Sequence, residues 1–300
     1  MENGKVIVFG EVLFDIFPDG KRLGGAPFNF AIHLHQLGVP VYFVSRIGDD
    51  SLGSEIRNFT IKNEFPLDGV QVDRQHSTGE VRIRFSKNGC HSFEILPHRA
   101  WDYIEWNTDI DAILNGRVSM VYFGTLSQRQ ETSRQCLLRI LKQASGKAPI
   151  FMDLNLRPPF YHRDLLDRSL NYCNILKANE EEMFELKEIF HWRGSRVVPA
   201  IVQRIWEEYP IEYLFVTKGK NGSALYRRGK RTPCVQESKE PEPFRDSVGA
   251  GDAFSAMLAF GLLNHWKDQK VLAEASLFAS RVCSITGAIP ENREFYQRVS

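Results

Sequence analysis

The sequence predicts an α/β fold, a mostly parallel central sheet flanked by helices, with a small β-sheet lid set apart from it. Short β-rich runs alternate with amphipathic segments whose apolar residues recur at three and four. The order is repeatedly strand, helix, strand, which buries a parallel sheet between helices. One stretch, residues 77–96, breaks this rhythm and reads as two alternating strands.

The runs VIVFG (6–10), VYFVSRI (41–47), SMVYFG (119–124), APIFMD (148–153), NILKA (174–178) and EYLFVT (212–217) have the length and β-branched content of buried strands. Between them, PFNFAIHLHQLG (27–38), SLGSEIRNFTIKN (51–63), RQETSRQCLLRILKQAS (129–145) and RVVPAIVQRIWEEY (196–209) carry the helical period, and AFSAMLAFGLL (253–263) reads as a further helix. In STGEVRIRFSKNGCHSFEIL (77–96), Asn88-Gly89 is a strong hairpin signal. Val81, Ile83 and Phe85 fall on one face and Arg82 and Arg84 on the other. Such a hairpin is either a plain sheet edge or a lid that closes over a ligand.

At 300 residues and 43% hydrophobic, the chain can bury a full core. Lys plus Arg number 38 against 37 Asp plus Glu, a net charge of +1, so no global field recruits nucleic acid or an anionic membrane. Any phosphate site must be local. Cys90, Cys136, Cys173, Cys234 and Cys283 are odd in number, far apart and without a CxxC pair, as expected of reduced thiols. The start MENGKVIVFG lacks the pattern of a secretion signal and no apolar run reaches membrane-spanning length, so the expected location is cytoplasmic. The triplets NFT at Asn58 and NGS at Asn221 then read as chance glycosylation matches.

The chemistry is concentrated in DSVGAGDAFSAMLAFGLL (246–263). Gly249, Ala250 and Gly251 precede a helix, where unpaired N–H groups and the positive end of the helix dipole form an anion site. A glycine turn before a helix also serves plain packing. Asp252 tilts the balance: a carboxylate in the first turn is good capping, but beside a phosphoryl site it can take the proton of an attacking hydroxyl. No GxxxxGK[ST] loop occurs, and Phe254 stands where a GxGxxG dinucleotide loop needs its last glycine.

These residues resemble the PfkB, or ribokinase-like, carbohydrate kinases, and among them are most similar to fructokinases. DSVGAGD matches the family's D-T-x-G-A-G-D, with Ser247 in the threonine position, and LGGAPFNFAIHLHQLG supplies its Gly-Gly pair and asparagine as Gly24, Gly25 and Asn29. GEVLFDIFP (10–18) looks like the family's first strand ending in Asp15, and DLNLRPPF (153–160) looks like its D-x-N-x-R-P segment. NEEE (179–182) fits N-x-x-E, and VTKGKNGS (216–223) fits V-T-x-G-x-x-G. The six motifs span nearly the whole chain in family order.

The resemblance implies one domain over residues 1–300, with lid segments near 12–23 and 72–103, and an ATP-dependent sugar kinase with fructose as acceptor. Ribose, 2-keto-3-deoxygluconate and nucleosides stay open within the class. A sugar sensor without turnover and a hydride-transferring enzyme are the readings from other classes; the intact GAGD opposes the first and the missing glycine fingerprint the second. Asp252 would be the base and Gly249, Ala250 and Gly251 the anion hole. Asp15, Gly24, Gly25, Asn29 and Arg157 would bind the sugar, while each also has a plain role: Asp15 as a loop charge, Asn29 as a cap, Arg157 as an ion-pair partner. Asn179, Thr217, Gly219 and Gly222 would border ATP, although Asn179 with Glu182 is also a capping arrangement and the glycines are also turn punctuation. Glu182 would organise Mg2+ through water. By analogy alone, Asp246 would sit beside a monovalent cation, K+, residues 278–288 would supply the adenine pocket, and the lid would support a homodimer.

Overall fold

A computed structural model describes residues 4–18, 20–85, 91–239, 241 and 243–297. In chain order, β1 (Lys5–Phe9) is followed by β2 (Leu13–Phe17), β3 (Gly20–Gly24), α1 (Ala26–Gln36), β4 (Val41–Gly48), α2 (Ser51–Lys62), β5 (Val70–Asp73), β6 (Gly79–Phe85) and β7 (His91–Ile95). Then come α3 (Thr108–Asn115), β8 (Val118–Phe123), α4 (Glu131–Ala144), β9 (Ile150–Asp153), α5 (Arg163–Leu170), β10 (Ile175–Asn179), α6 (Glu180–Ile189) and α7 (Val198–Glu208). The chain continues through β11 (Tyr213–Thr217), β12 (Ser223–Arg227), β13 (Cys234–Gln236), α8 (Ala250–Leu263) and α9 (Asp268–Val282).

Nine strands form the large sheet in the order β13-β12-β11-β10-β9-β8-β1-β4-β5. It is parallel from β11 to β5, and β12 and β13 add an antiparallel edge. Because helices cover both faces, its central strands are mostly apolar rather than alternating with polar residues, Lys177 of β10 and Asp153 of β9 being exceptions. In β1, Ile7 and Phe9 enter the core beneath α3 to α7, while Val6 and Val8 enter the core beneath α1, α2, α8 and α9. Among the described residues, no helix is long and apolar enough to cross a membrane, and Cys136, Cys173, Cys234 and Cys283 are free thiols.

The small sheet has the order β3-β2-β6-β7. Its strands cover 13–17, 20–24, 79–85 and 91–95, a narrower span than the sequence suggests: β5 pairs with β4 on the large sheet, and Ala100–Tyr103 is a 3-10 turn packed against β4 and α4. Polar contacts fasten both of its roots. Asp50, which caps α2, also accepts from Thr78 N and Oγ1, at 2.8 and 2.7 Å. Arg129 donates to both oxygens of Asp102 at 2.7 Å and to Leu96 O at 2.6 Å.

Val81 is buried and Arg82 exposed, as the alternation requires, and Phe93 on β7 is 67% exposed. The Asn88-Gly89 turn and the side chains of Ile83, Arg84 and Phe85 lie outside what is described. Asp15 is placed differently from its expected position at the end of the first strand. β1 stops at Phe9, and Asp15 is the middle residue of β2, opposite Arg22.

Candidate active site

Parallel strands all point their carboxyl ends at one edge, where loops gather ligands. Here β1 runs out into Glu11, β9 into the segment holding Arg157, β10 into Asn179 and β11 into Thr217. Helix α8 starts beside them on Gly249, whose φ of 76° is left-handed and whose missing Cβ would lie 2.3 Å from that of Ala288. No other residue type fits that turn. The first-turn N–H groups of Gly251 and Asp252 have no carbonyl of their own helix to reach.

Asp252 is the third residue of α8, and its carboxylate accepts from Asn29 Nδ2 at 2.8 Å. The partner therefore comes from α1, which packs on α8, and not from the end of α8 itself. Burial pushes the Asp252 carboxyl up to about 6, opposed by the Asn29 hydrogen bond, with Asp153 raising it and Lys177 and Arg157 lowering it. Asn29 is buried, and its Oδ1 has no partner among the described residues.

Two more acids share this edge. Glu11 is buried, its Oε2 has no partner, and burial pushes it up to about 7 against its own backbone hydrogen bond and Arg157, while Asp252 raises it. Asp15 is pushed up to about 6 by burial, opposed by Arg157 and Arg22. The Arg157 charge thus lowers all three carboxyls, and Arg157 is exposed and makes no ion pair among the described residues. Gly24 and Gly25 form the passage from β3 into α1, and Gly25, with φ 109°, lies against the backbone of Glu11.

Below Asp252, Lys177 Nζ meets Asp153 at 3.0 and 3.2 Å, and Ser255 Oγ and the Tyr122 hydroxyl donate to the same carboxylate at 2.7 and 3.3 Å. All four are buried.

On the other side, Asn179 and Glu182 form a full capping box. Asn179 Oδ1 accepts from Glu182 N at 2.7 Å, and Glu182 Oε2 from Asn179 N at 2.8 Å. Glu182 Oε1 accepts from Leu156 N at 2.9 Å, tying β10 to the segment that carries Arg157. Burial raises the Glu182 carboxyl, opposed chiefly by Lys177. Thr217 ends β11 in register with Asn179, and Gly219 and Gly222 shape the turn into β12. Asp246 accepts from Val248 N at 3.0 Å and from Gly287 N at 3.4 Å, and faces Arg22 Nη1 at 3.4 Å. In the segment 278–288, Phe278 and Val282 are core residues stacked under α1, so only its later part can face a nucleotide.

Glu11, Lys177, Asp153 and Arg22 join the site without having been singled out in the sequence. An acid directly after an apolar strand, and a lysine inside NILKA, were the signals available.

The pfkB family carbohydrate kinase pattern matches residues 7–294. A fructokinase of Klebsiella pneumoniae is 29% identical over 274 residues, 88% of this chain and 86% of that protein. A solved fructokinase double mutant of Vibrio cholerae O395, with fructose, ADP and potassium bound, has a TM-score of 0.80 at 19% identity, covering 98% of this chain and 97% of that one. Arabidopsis thaliana ribokinase complexed with ribose and ATP has a TM-score of 0.79 at 21% identity, covering 99% and 98%. At such identities the two structures speak for the fold.

Proposed function

Because this chain belongs to the pfkB family of carbohydrate kinases, we propose that it moves the γ-phosphoryl group of ATP onto a hydroxyl of fructose. The observation that carries the mechanism is Asp252, an ionisable carboxylate held by Asn29 in the first turn of a helix whose Gly251 and Asp252 N–H groups reach no carbonyl of that helix. An acceptor hydroxyl set against Asp252 loses its proton to the carboxylate as its oxygen bonds to phosphorus and the bond to the β-phosphate oxygen breaks. A value near 6 keeps Asp252 ionised at neutral pH yet more basic than an ordinary aspartate. The glycine turn and helix dipole face the transferred group with partial positive charge.

Acceptor hydroxyls have ready partners in Asn29 Oδ1, Asp15, Arg157 and the Gly24-Gly25 passage. Asn179, Thr217, Gly219 and Gly222 border ATP on the β10–β12 side. Both oxygens of Glu182 are taken by backbone N–H groups, and no cluster of three metal-binding side chains exists among the described residues. Glu182 would therefore hold Mg2+ through water, and the ion would supply charge neutralisation for the nucleotide phosphates. A K+ ion at Asp246 would share that carboxylate with Arg22. The small sheet closes over the sugar as a lid, and its exposed Phe93 offers a surface for a second copy.

Fructose, ahead of ribose or 2-keto-3-deoxygluconate, is supported by GGAPFN, GEVLFD and DLNLRP and by likeness to the Klebsiella fructokinase. A coupled ADP-release assay over these sugars and nucleosides tests it. A clearly higher kcat/KM for another acceptor would overturn fructose, and no turnover with any of them would favour a sugar-sensing role.

A further inference from the structure

Lys177 is a cation inside an otherwise apolar strand, and its side chain is only 9% exposed. Its register partner on β9 is Asp153, which it meets at 3.0 and 3.2 Å. As a way of joining two strands, a buried ion pair is poor, since an apolar pair of similar volume holds them as well or better. Its presence calls for another reason, and Gly251 supplies one.

Gly251 does not have a positive φ, so its backbone does not require glycine, and glycine within a helix is unfavourable relative to alanine. A Cβ on Gly251 would lie 3.3 Å from Lys177 Nζ, with no other such neighbour within 4 Å. Helical Cα–Cβ bonds tilt toward the helix N-terminus, so this gap opens at the very end of α8 that holds the anion hole. An alanine methyl would stand between the ammonium and that space. Three N–H bonds leave Nζ, and the two Asp153 oxygens occupy at most two of them.

Resting on the kinase reading above, we propose that Lys177 is a phosphoryl-stabilising residue: its ammonium, fixed by Asp153 and uncovered by Gly251, faces the transferred group at the N-terminus of α8. Burial works against the charge on Lys177, but Asp153 and Glu182 outweigh it, so the group stays an ammonium. Asp153 is the positioning residue of the pair, and Ser255 and Tyr122 hold it in turn.

The test compares Lys177→Met, the double variant Lys177→Met/Asp153→Asn, and Gly251→Ala. The double variant removes both buried charges yet leaves an acceptor for Ser255 and Tyr122, so it keeps the fold even if the single one does not. With fructose or the best acceptor found, its kcat should fall roughly 10²–10³-fold, the loss typical of one preorganised donor at a developing negative charge. Its affinity for ADP with aluminium fluoride and sugar, which mimics the planar transferred group, should fall by a similar factor while ADP alone binds as before. If Gly251 is the opening for Lys177, adding Gly251→Ala to the double variant should cost less than Gly251→Ala alone. A folded double variant with parental kcat, or with undiminished affinity for the aluminium fluoride complex, overturns this assignment alone. A parent inert toward every sugar overturns the kinase reading, and the assignment with it.

Discussion

Replacing Asp252 by asparagine keeps the size and the oxygen that Asn29 binds, and removes the charge and the proton-accepting lone pair. In the parent, burial lifts this carboxyl from 3.8 to about 6. A folded value above the unfolded one means that Asp252 favours folding below pH 4 and loses that advantage as pH rises through 6. Two units amount to roughly 3 kcal/mol, so at pH 8 the ionised group costs the parent about that much relative to a neutral one. Asp252→Asn should therefore match the parent near pH 4 and become more stable by about 2–3 kcal/mol at pH 8. Its turnover should meanwhile drop roughly 10²–10⁴-fold, the usual loss of a positioned base. ATP should bind as well or slightly better, since a negative charge no longer faces the phosphates. Urea melts at pH 4.5, 6 and 8, with kcat and the ATP Kd on the same preparation, decide the matter. Parental activity in a folded variant removes Asp252 from catalysis. A stability gap that stays flat with pH refutes the buried-carboxylate argument, and activity lost together with the fold leaves only a structural role.

Glu182→Gln sets an amide N–H against one of two backbone donors, so it should lower stability by roughly 1–3 kcal/mol and raise the Mg2+ concentration needed for half activity; an unchanged Mg2+ dependence reduces Glu182 to a fastening for Leu156. Asp15→Ala and Asn29→Ala should each weaken sugar recognition by roughly 1–3 kcal/mol, read as kcat/KM, with melting temperature as control. Asn29→Ala should also move the acid limb of the pH profile upward, because the lost hydrogen bond holds Asp252 down; a limb that stays put breaks the link between them. Hydrogen exchange of residues 79–85 and 91–95 should slow when sugar is added, and equal protection with and without it makes the small sheet a fixed edge or a subunit contact.

The large sheet was legible because its strands are buried on both faces and read as plain apolar runs, and four of its helices because they are long and strongly periodic. What escaped was short, charged or far-sighted. RDLLDRSL forms α5 with half its residues charged. β13 is a three-residue edge strand and β12, beside it, carries only a short apolar run between Ser223 and Arg227. The span GEVLFDIFP looked like one strand, but the chain breaks at Gly10 and Glu11 and begins a second sheet at Leu13. The GAGD turn was readable because anion binding at a helix start is a local property. The bond from Asn29 to Asp252 and the pairing of Lys177 with Asp153 are long-range, and periodicity carries no trace of them.

The Asn29 to Asp252 bond closes a separation of 223 residues. During synthesis Asn29 leaves the ribosome early, while Asp252 and its glycine turn come out only with the last sixth of the chain. Until α8 and α9 arrive, Val6 and Val8 lack part of the apolar cover on their side of the sheet. On the proposed mechanism a prematurely terminated chain therefore lacks its base and at the same time exposes apolar surface that is prone to stick.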